Sequence, residues 1–143
     1  MISSLAKTRD LRLTTSLDPD LPMLRGDERV ITQVLNNLLS NAVKFTAADG
    51  AIDVSAKVRE NGSVNILVSD TGEGMSERDI VKATRPFEQA DSTYSRRHEG
   101  TGLGLHLCQN FIKLHGGSLD IESEEGKGTT VTVRFPPDRT VSV

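Results

Sequence analysis

The 143-residue chain has no tryptophan, one tyrosine, four phenylalanines and a single cysteine. Sparse aromatics remove the stacking platforms that single-stranded nucleic acids require. Positive charge is also short: 17 Lys and Arg stand against 20 Asp and Glu, giving a formal net charge of −3 and a pI near 5.6. With no basic run to offset that balance, no nucleic-acid surface is expected. The lone Cys108 excludes an internal disulfide framework and suits a reducing compartment. No apolar run approaches a membrane span, and Met1-Ile-Ser-Ser-Leu5 lacks the basic start and apolar core of a signal peptide. The expected location is therefore cytoplasmic, with no membrane contact by this domain, although a longer parent protein could be anchored elsewhere. What is present, 36% hydrophobic and 26% charged residues, is ordinary for one globular domain with a real core.

Glycine is not scarce, and its placement is informative. In Glu99-Gly-Thr-Gly-Leu-Gly-Leu105 three glycines alternate and lead into an apolar helical pattern. Glycine allows close backbone approach, and a helix start offers unpaired N–H groups and a positive dipole end to an anion. The run reads as a phosphate cradle, although glycine also marks ordinary turns. A second glycine element, Asp70-Thr-Gly-Glu-Gly74, and an asparagine-bearing stretch, Asn36-Asn-Leu-Leu-Ser-Asn-Ala42, lie upstream. Together the three make nucleotide binding the leading hypothesis.

Residues 11–17 alternate and read as a strand, and Asp18-Pro-Asp-Leu-Pro22 as a turn. Asp27 is a candidate N-cap for a helix to about Phe45, with Val30, Ile31, Val34, Leu35, Leu38, Leu39, Ala42 and Phe45 on one face. Residues 51–59 and 64–69 form a predicted hairpin around Glu60-Asn-Gly62. Ser76 caps a short predicted helix, a polar loop follows from Pro86 to Gly100, and helical periodicity returns from Leu103 to Leu114. Two last strands, about 118–123 and 129–135, precede Pro136-Pro137. The order predicts an α+β fold, a mixed, mostly antiparallel sheet with about three helices on one face. Residues 1–9 read as a connector, 10–137 as the domain and 138–143 as a C-terminal tail.

Gln33, Asn37, Asn41 and Lys44 share a stripe at helical spacing. A carboxamide oxygen is a hard neutral ligand suited to Mg²⁺ whose remaining ligands are phosphates and water, and a lysine one turn on can meet phosphate. The competing reading is a solvated polar face. Asp70 at a strand end can accept from an exocyclic amino group, or it can cap its own turn. Arg96 and Arg97 suit phosphate oxygens, or are solvated loop charges. No P-loop motif, dinucleotide fingerprint or eukaryotic kinase signature is present.

In this order the elements resemble the catalytic ATP-binding domain of sensor histidine kinases, in the superfamily shared with DNA gyrase, mismatch-repair ATPases and a heat-shock chaperone. Residues 33–45 resemble the N box, Asp70–Gly74 the first glycine box, Pro86–Asp91 the F box, Gly100–Leu105 the second glycine box, and Gly128-Thr-Thr130 the terminal Gly-Thr element. The resemblance implies a two-layer α/β sandwich, the Bergerat ATP-binding fold, with ATP and Mg²⁺ as cofactors. It implies that Asn41, helped by Asn37, coordinates Mg²⁺ and that Lys44 contacts phosphate. Asp70 would bind the adenine amino group over Gly72 and Gly74, with Thr129 beneath the adenine. Gly100, Thr101, Gly102, Leu103, Gly104 and Leu105 would line the phosphates with Arg96 and Arg97, and Phe87 would root a mobile lid over residues 87–100.

Superfamily hydrolases carry a glutamate base four residues before the metal asparagine, where this chain has Asn37. A carboxamide takes no proton, which favours phosphotransfer over hydrolysis. The phosphoacceptor helix is missing, so the resemblance implies two partners: the protein's own dimerisation hairpin bearing a histidine, and a response-regulator receiver domain. His98-Glu99 mimics the acceptor dipeptide but reads as loop sequence. His106, His115 and Cys108 read as structural. The isolated domain is expected to be monomeric. The rival readings are an ATPase that uses nucleotide as a switch and a non-enzymatic binding module.

Overall fold

The structure, a computed structural model, describes residues 11–24, 26–47, 49–84 and 104–141. Its longest element, helix α1 (Glu28–Phe45), starts where its sequence says it should. The Asp27 carboxylate accepts from the amides of Arg29 and Val30 at 3.0 and 3.3 Å, satisfying donors that a helix start leaves unpaired. Glu28 in the first turn and Lys44 in the last complement the helix dipole. At the far end the Thr46 hydroxyl, fully buried, donates back to the Ala42 carbonyl at 2.6 Å, and the chain leaves in extended conformation.

Strand β1 (Arg12–Leu17) is followed by β2 (Met23–Leu24). After α1 come β3 (Ala51–Val58) and β4 (Val64–Asp70), then α2 (Glu77–Thr84) and α3 (Leu105–Leu114). Strands β5 (Ser118–Glu124) and β6 (Gly128–Phe135) precede a 3₁₀ turn (Pro137–Arg139) and β7 (Thr140–Val141). The main sheet has the order β1-β3-β4-β6-β5. β1 runs parallel to β3 and every other neighbour is antiparallel, so the sheet is mixed and mostly antiparallel, as expected.

Registers explain the single core. Val54, Val68, Val131 and Ile121 lie opposite one another across four strands, as do Ala56, Ile66, Val133 and Leu119. Val34, Leu38 and Ala42 of α1 and Cys108 and Ile112 of α3 close over this face. Fully burying an aliphatic or aromatic side chain is worth about 1.5–3 kcal/mol, and Val34, Ile52, Ile112, Val133 and Phe135 are all at or within 1% of complete burial. Among the alternate residues, Asp53, Lys57, Asp120, Glu122 and Arg134 are exposed on the other face, while Ser55 and Asn65 are buried.

Two features differ from the sequence expectation. Residues 140–141 do not trail as a tail: Thr140 and Val141 pair antiparallel with Leu24 and Met23. Two-residue strands give no alternation to detect, and Pro136-Pro137 masks the return by opening the 3₁₀ turn. The buried face of α1 also takes in Asn37 and Val43, because α3 and the sheet together cover more than one narrow stripe.

Candidate functional site

The residues singled out on α1, β4 and β6 converge on one cleft. It is an open concavity of about 540 Å³ including its mouth and the solvent there. Leu38, Asn41, Ala42 and Phe45 of α1 form one wall; Val68 and Asp70 of β4 with Thr129 and Val131 of β6 form the other. Glu73, Gly74 and Met75 close one side, and Leu105 contributes from the first turn of α3. Mostly apolar walls with a few convergent polar atoms suit a flat heteroaromatic ring.

Asp70 ends β4 directly opposite Thr129. Its carboxylate accepts from the Gly72 amide at 2.8 Å and from the Thr129 amide. It caps its own turn and also lines the cleft. Burial raises its pKa above the ordinary 3.8, and the Gly72 and Thr129 amides oppose the rise by favouring the ionised form.

Backbone approach at the base of the cleft is close enough to require glycine. Gly128 has φ +120°, and a Cβ there would lie 2.0 Å from the Asp70 carbonyl oxygen. Gly74 has φ +70°, and its Cβ would meet the Glu124 carbonyl oxygen at 2.0 Å. The β5–β6 turn is thus pressed onto the Asp70–Gly74 turn, and the Gly126 amide donates to the Glu73 carbonyl at 2.8 Å. Gly72 is needed for a different reason from the one expected. It is not a wall of the cleft; the space of its side chain is taken by the Phe45 carbonyl, 2.5 Å from a Cβ placed there.

The asparagines separate. Asn41 faces the cleft, and its buried Oδ1 is one of two buried side-chain oxygens without a hydrogen-bond partner among the described residues. Asn37, expected beside it, is 7% exposed and turns toward α3, where its amide donates to Cys108 Sγ at 3.4 Å. A step of four residues rotates about 40° around a helix, enough to move a side chain from the cleft into the helix–helix seam. Lys44 is half-buried in the last turn of α1 and is not a cleft wall. Phe87, Arg96, Arg97, Gly100, Thr101, Gly102 and Leu103 lie outside the described residues. Gly104 is the N-cap of α3 and makes no side-chain cap bond, the arrangement that leaves first-turn amides for an anion.

Sequence reasoning missed the apolar walls. Alternation identifies Val68 and Val131 as inward-facing, but does not tell cleft from core. Met75, 8% exposed, gave no signal at all.

A mixed sheet carrying a cleft between its helical layer and an acidic strand end defines a nucleotide-binding α/β sandwich. The family model described as histidine kinase-, DNA gyrase B- and HSP90-like ATPase matches residues 26–139. The chain is 40% identical over 139 residues to the non-motile and phage-resistance protein of Caulobacter vibrioides, covering 95% of this chain and 16% of that protein. It is 39% identical over 138 residues to a sensor-like histidine kinase of Rhizobium meliloti, covering 96% and 26%. Identity reaches 41% with the cell-division control histidine kinase PdhS of Brucella abortus, covering 91% and 13%. Among solved structures, full-length ShkA in complex with AMPPNP superposes with TM-score 0.80 at 27% identity, over 99% of this chain and 28% of that one. The nucleotide-free catalytic domain of the histidine kinase ThkA gives 0.78 at 26% identity, over 95% and 86%. The chain belongs to this ATPase family, as a catalytic ATP-binding domain of the sensor histidine kinase type. It spans between 13% and 26% of the length of these curated relatives. Among the described residues, no helix is long and apolar enough to cross a membrane.

Proposed function

We propose that the cleft binds ATP with Mg²⁺, adenine inward against Asp70 and Thr129, and presents the γ-phosphate to a histidine on a dimerisation hairpin outside this chain. The phosphoryl group leaves ADP for the imidazole nitrogen and passes onward to a receiver-domain aspartate. The observation that carries this reading is the facing of two groups across one cleft: the Asp70 carboxylate on β4 and the orphaned Asn41 Oδ1 on α1. A buried carbonyl oxygen without a donor is costly, and a hard cation relieves that cost.

Asn41 fits the metal. Among the described residues no cluster of three or more His, Cys, Asp or Glu could cage an ion, which suits Mg²⁺ held by one protein oxygen plus phosphates and water. When bound, the ion would neutralise phosphate charge. Asn37, whose Nδ2 donates to Cys108 Sγ, would help through its carboxamide oxygen, the atom a hard cation takes. It also supplies no base for water, so the residues present favour transfer over hydrolysis. Lys44, Gly104 and the glycine run with Arg96 and Arg97 would then neutralise and position phosphate, the main requirement of phosphoryl transfer. Phe87 would anchor the lid. A cytoplasmic setting and a monomeric isolated domain complete the proposal.

Calorimetric titration of ATP and ADP, with and without Mg²⁺, tests it on wild type and Asp70→Asn. Mg²⁺-sensitive binding that the variant loses is the expected result. A folded wild-type chain that binds neither nucleotide would refute it, and steady hydrolysis of ATP by the isolated chain would favour the switch ATPase.

A further inference from the structure

Among the described residues the main sheet has two outer strands, β1 and β5, and they are unlike. β5 carries three exposed carboxylates, Asp120, Glu122 and Glu124. After Arg12, β1 reads Leu-Thr-Thr-Ser-Leu17, with no charge or proline to deter a further strand. The Arg12 amide donates to the Gly50 carbonyl at 3.0 Å, and the Asp18 amide to the Ala56 carbonyl at 2.9 Å. Successive backbone groups of a strand point to opposite sides, so Thr14 and Ser16 also face β3. The amides and carbonyls of Leu13, Thr15 and Leu17 therefore point to the open edge. Leu17 is 64% exposed, on the same sheet face as Leu13, which packs against the core.

We infer that this edge pairs, antiparallel, with the same edge of a second copy, centred on Thr15. That register uses every open group. Thr15 meets its own copy, Leu13 meets Leu17 of the second copy and Leu17 meets Leu13, each pair exchanging both backbone bonds. Opposed side chains share a face, so the exposed Leu17 gains an apolar neighbour in Leu13 of the second copy. One step further out at each end, the register sets Arg12 opposite Asp18, base against acid. A slip of two residues either way leaves open groups unpaired and breaks the Arg12–Asp18 match. Hydrogen-bond phase, apolar fit and charge thus select the same occupant. Two six-residue edges fall short of the roughly 1,200 Å² buried in a stable interface, so the dilute chain stays a monomer. Resting on the histidine-kinase reading above, the pair forms where a dimerisation hairpin holds two catalytic domains together, at about millimolar effective concentration.

Hydrogen exchange followed by NMR on the 143-residue chain, dilute and concentrated, tests the pairing. The Leu13, Thr15 and Leu17 amides should slow by about fivefold or more on concentration, while those of Thr14 and Ser16, already bonded to β3, keep their rates. Thr15→Pro deletes the central outward amide without touching the bonds to β3, and should abolish the effect at Leu13 and Leu17. Under mild oxidation of the concentrated chain, Thr15→Cys should form a disulfide dimer, since such opposed residues stand about 5.5 Å apart at Cα. Leu17→Cys should link far less despite its exposure, because the register sets it opposite residue 13. Exchange at Leu13, Thr15 and Leu17 that ignores concentration, or equal linking by the two cysteine variants, would overturn the inference. None of these readouts uses nucleotide, so a chain that pairs but binds no ATP keeps the inference and loses the ATP reading.

Discussion

Asp27 and His115, 88 residues apart, are joined by one hydrogen bond: the Asp27 amide donates to His115 Nε2 at 3.0 Å. The other ring nitrogen, Nδ1, donates to the Phe111 carbonyl at 2.7 Å, which fixes the tautomer. The ring therefore accepts at Nε2 and holds the start of α1 to the end of α3. His115→Leu removes both bonds and should lower unfolding free energy by about 1–3 kcal/mol in denaturant titration. Gly26→Ala should act in the same direction, because a Cβ there would lie 2.6 Å from the imidazole.

Asp70 trades stability for its site. Burial raises its folded pKa above 3.8, so within the window just above that value the folded state holds a proton that the unfolded state has lost. Stability from this group is full below the window and falls as pH rises through it. Asp70→Asn should therefore gain stability relative to wild type on going from acid to neutral pH, in paired denaturant titrations. Adenine binding by wild type should strengthen over the same rise, as the carboxylate ionises. A stability difference that does not change with pH would contradict the assignment.

Asn41→Ala deletes an oxygen that lacks a partner among the described residues. Apo stability should change by no more than about 0.5–1 kcal/mol, since no hydrogen bond is broken at that oxygen. The Mg²⁺-dependent part of ATP affinity should disappear, while binding without Mg²⁺ is retained. Calorimetry at both metal conditions separates these outcomes.

Cys108 is fully buried, and burial lifts its thiol from 9.0 to about 11, with the Asn37 amide opposing the rise. Between those values the folded state keeps a proton that the unfolded state releases, so stability should fall as pH climbs from 9.0 toward 11. Cys108→Ala should lose that slope. A disulfide reagent should modify the native thiol slowly and the denatured thiol at once.

Gly128→Ala places a side chain at φ +120° and 2.0 Å from the Asp70 carbonyl. Backbone strain and steric overlap together should cost about 3 kcal/mol or more. Thermal melting followed by circular dichroism would show it, with ATP affinity falling in any folded fraction.

Much of this architecture was readable in the chain. Alternation over Ala51–Val58 and Val64–Asp70 marks strands because one face is buried, and the Asp27 cap marks the start of α1 because its side chain has local donors to satisfy. Asp70, Gly74, Asn41, Leu105 and Thr129 were all brought to one cleft. Pairing between distant segments was not readable. The parallel β1–β3 contact and the β2–β7 clasp depend on tertiary packing, not local pattern. The Asn37–Cys108 contact was not readable either, because spacing gives a helix face only to within a fraction of a turn, and α3 decides which neighbour that face meets. Ser123 carries no motif by itself; its three bonds exist only once Met75, Gly128 and Thr129 surround it.

Strand β5 is an outer strand of the main sheet among the described residues, the position from which a sheet templates another strand, and Gln109 already covers its Leu119 carbonyl at 3.2 Å. Along it stand Asp120, Glu122 and Glu124, all exposed, with Asp120 paired to Arg134 and Glu124 to Lys127, so two such edges brought together would have to strip these charges of water and partners. Exposed charge along an outer strand opposes edge-to-edge growth where copies are crowded together. Neutralising it, for instance with Asp120→Asn and Glu122→Gln together, would leave the cleft intact while making the domain prone to aggregate.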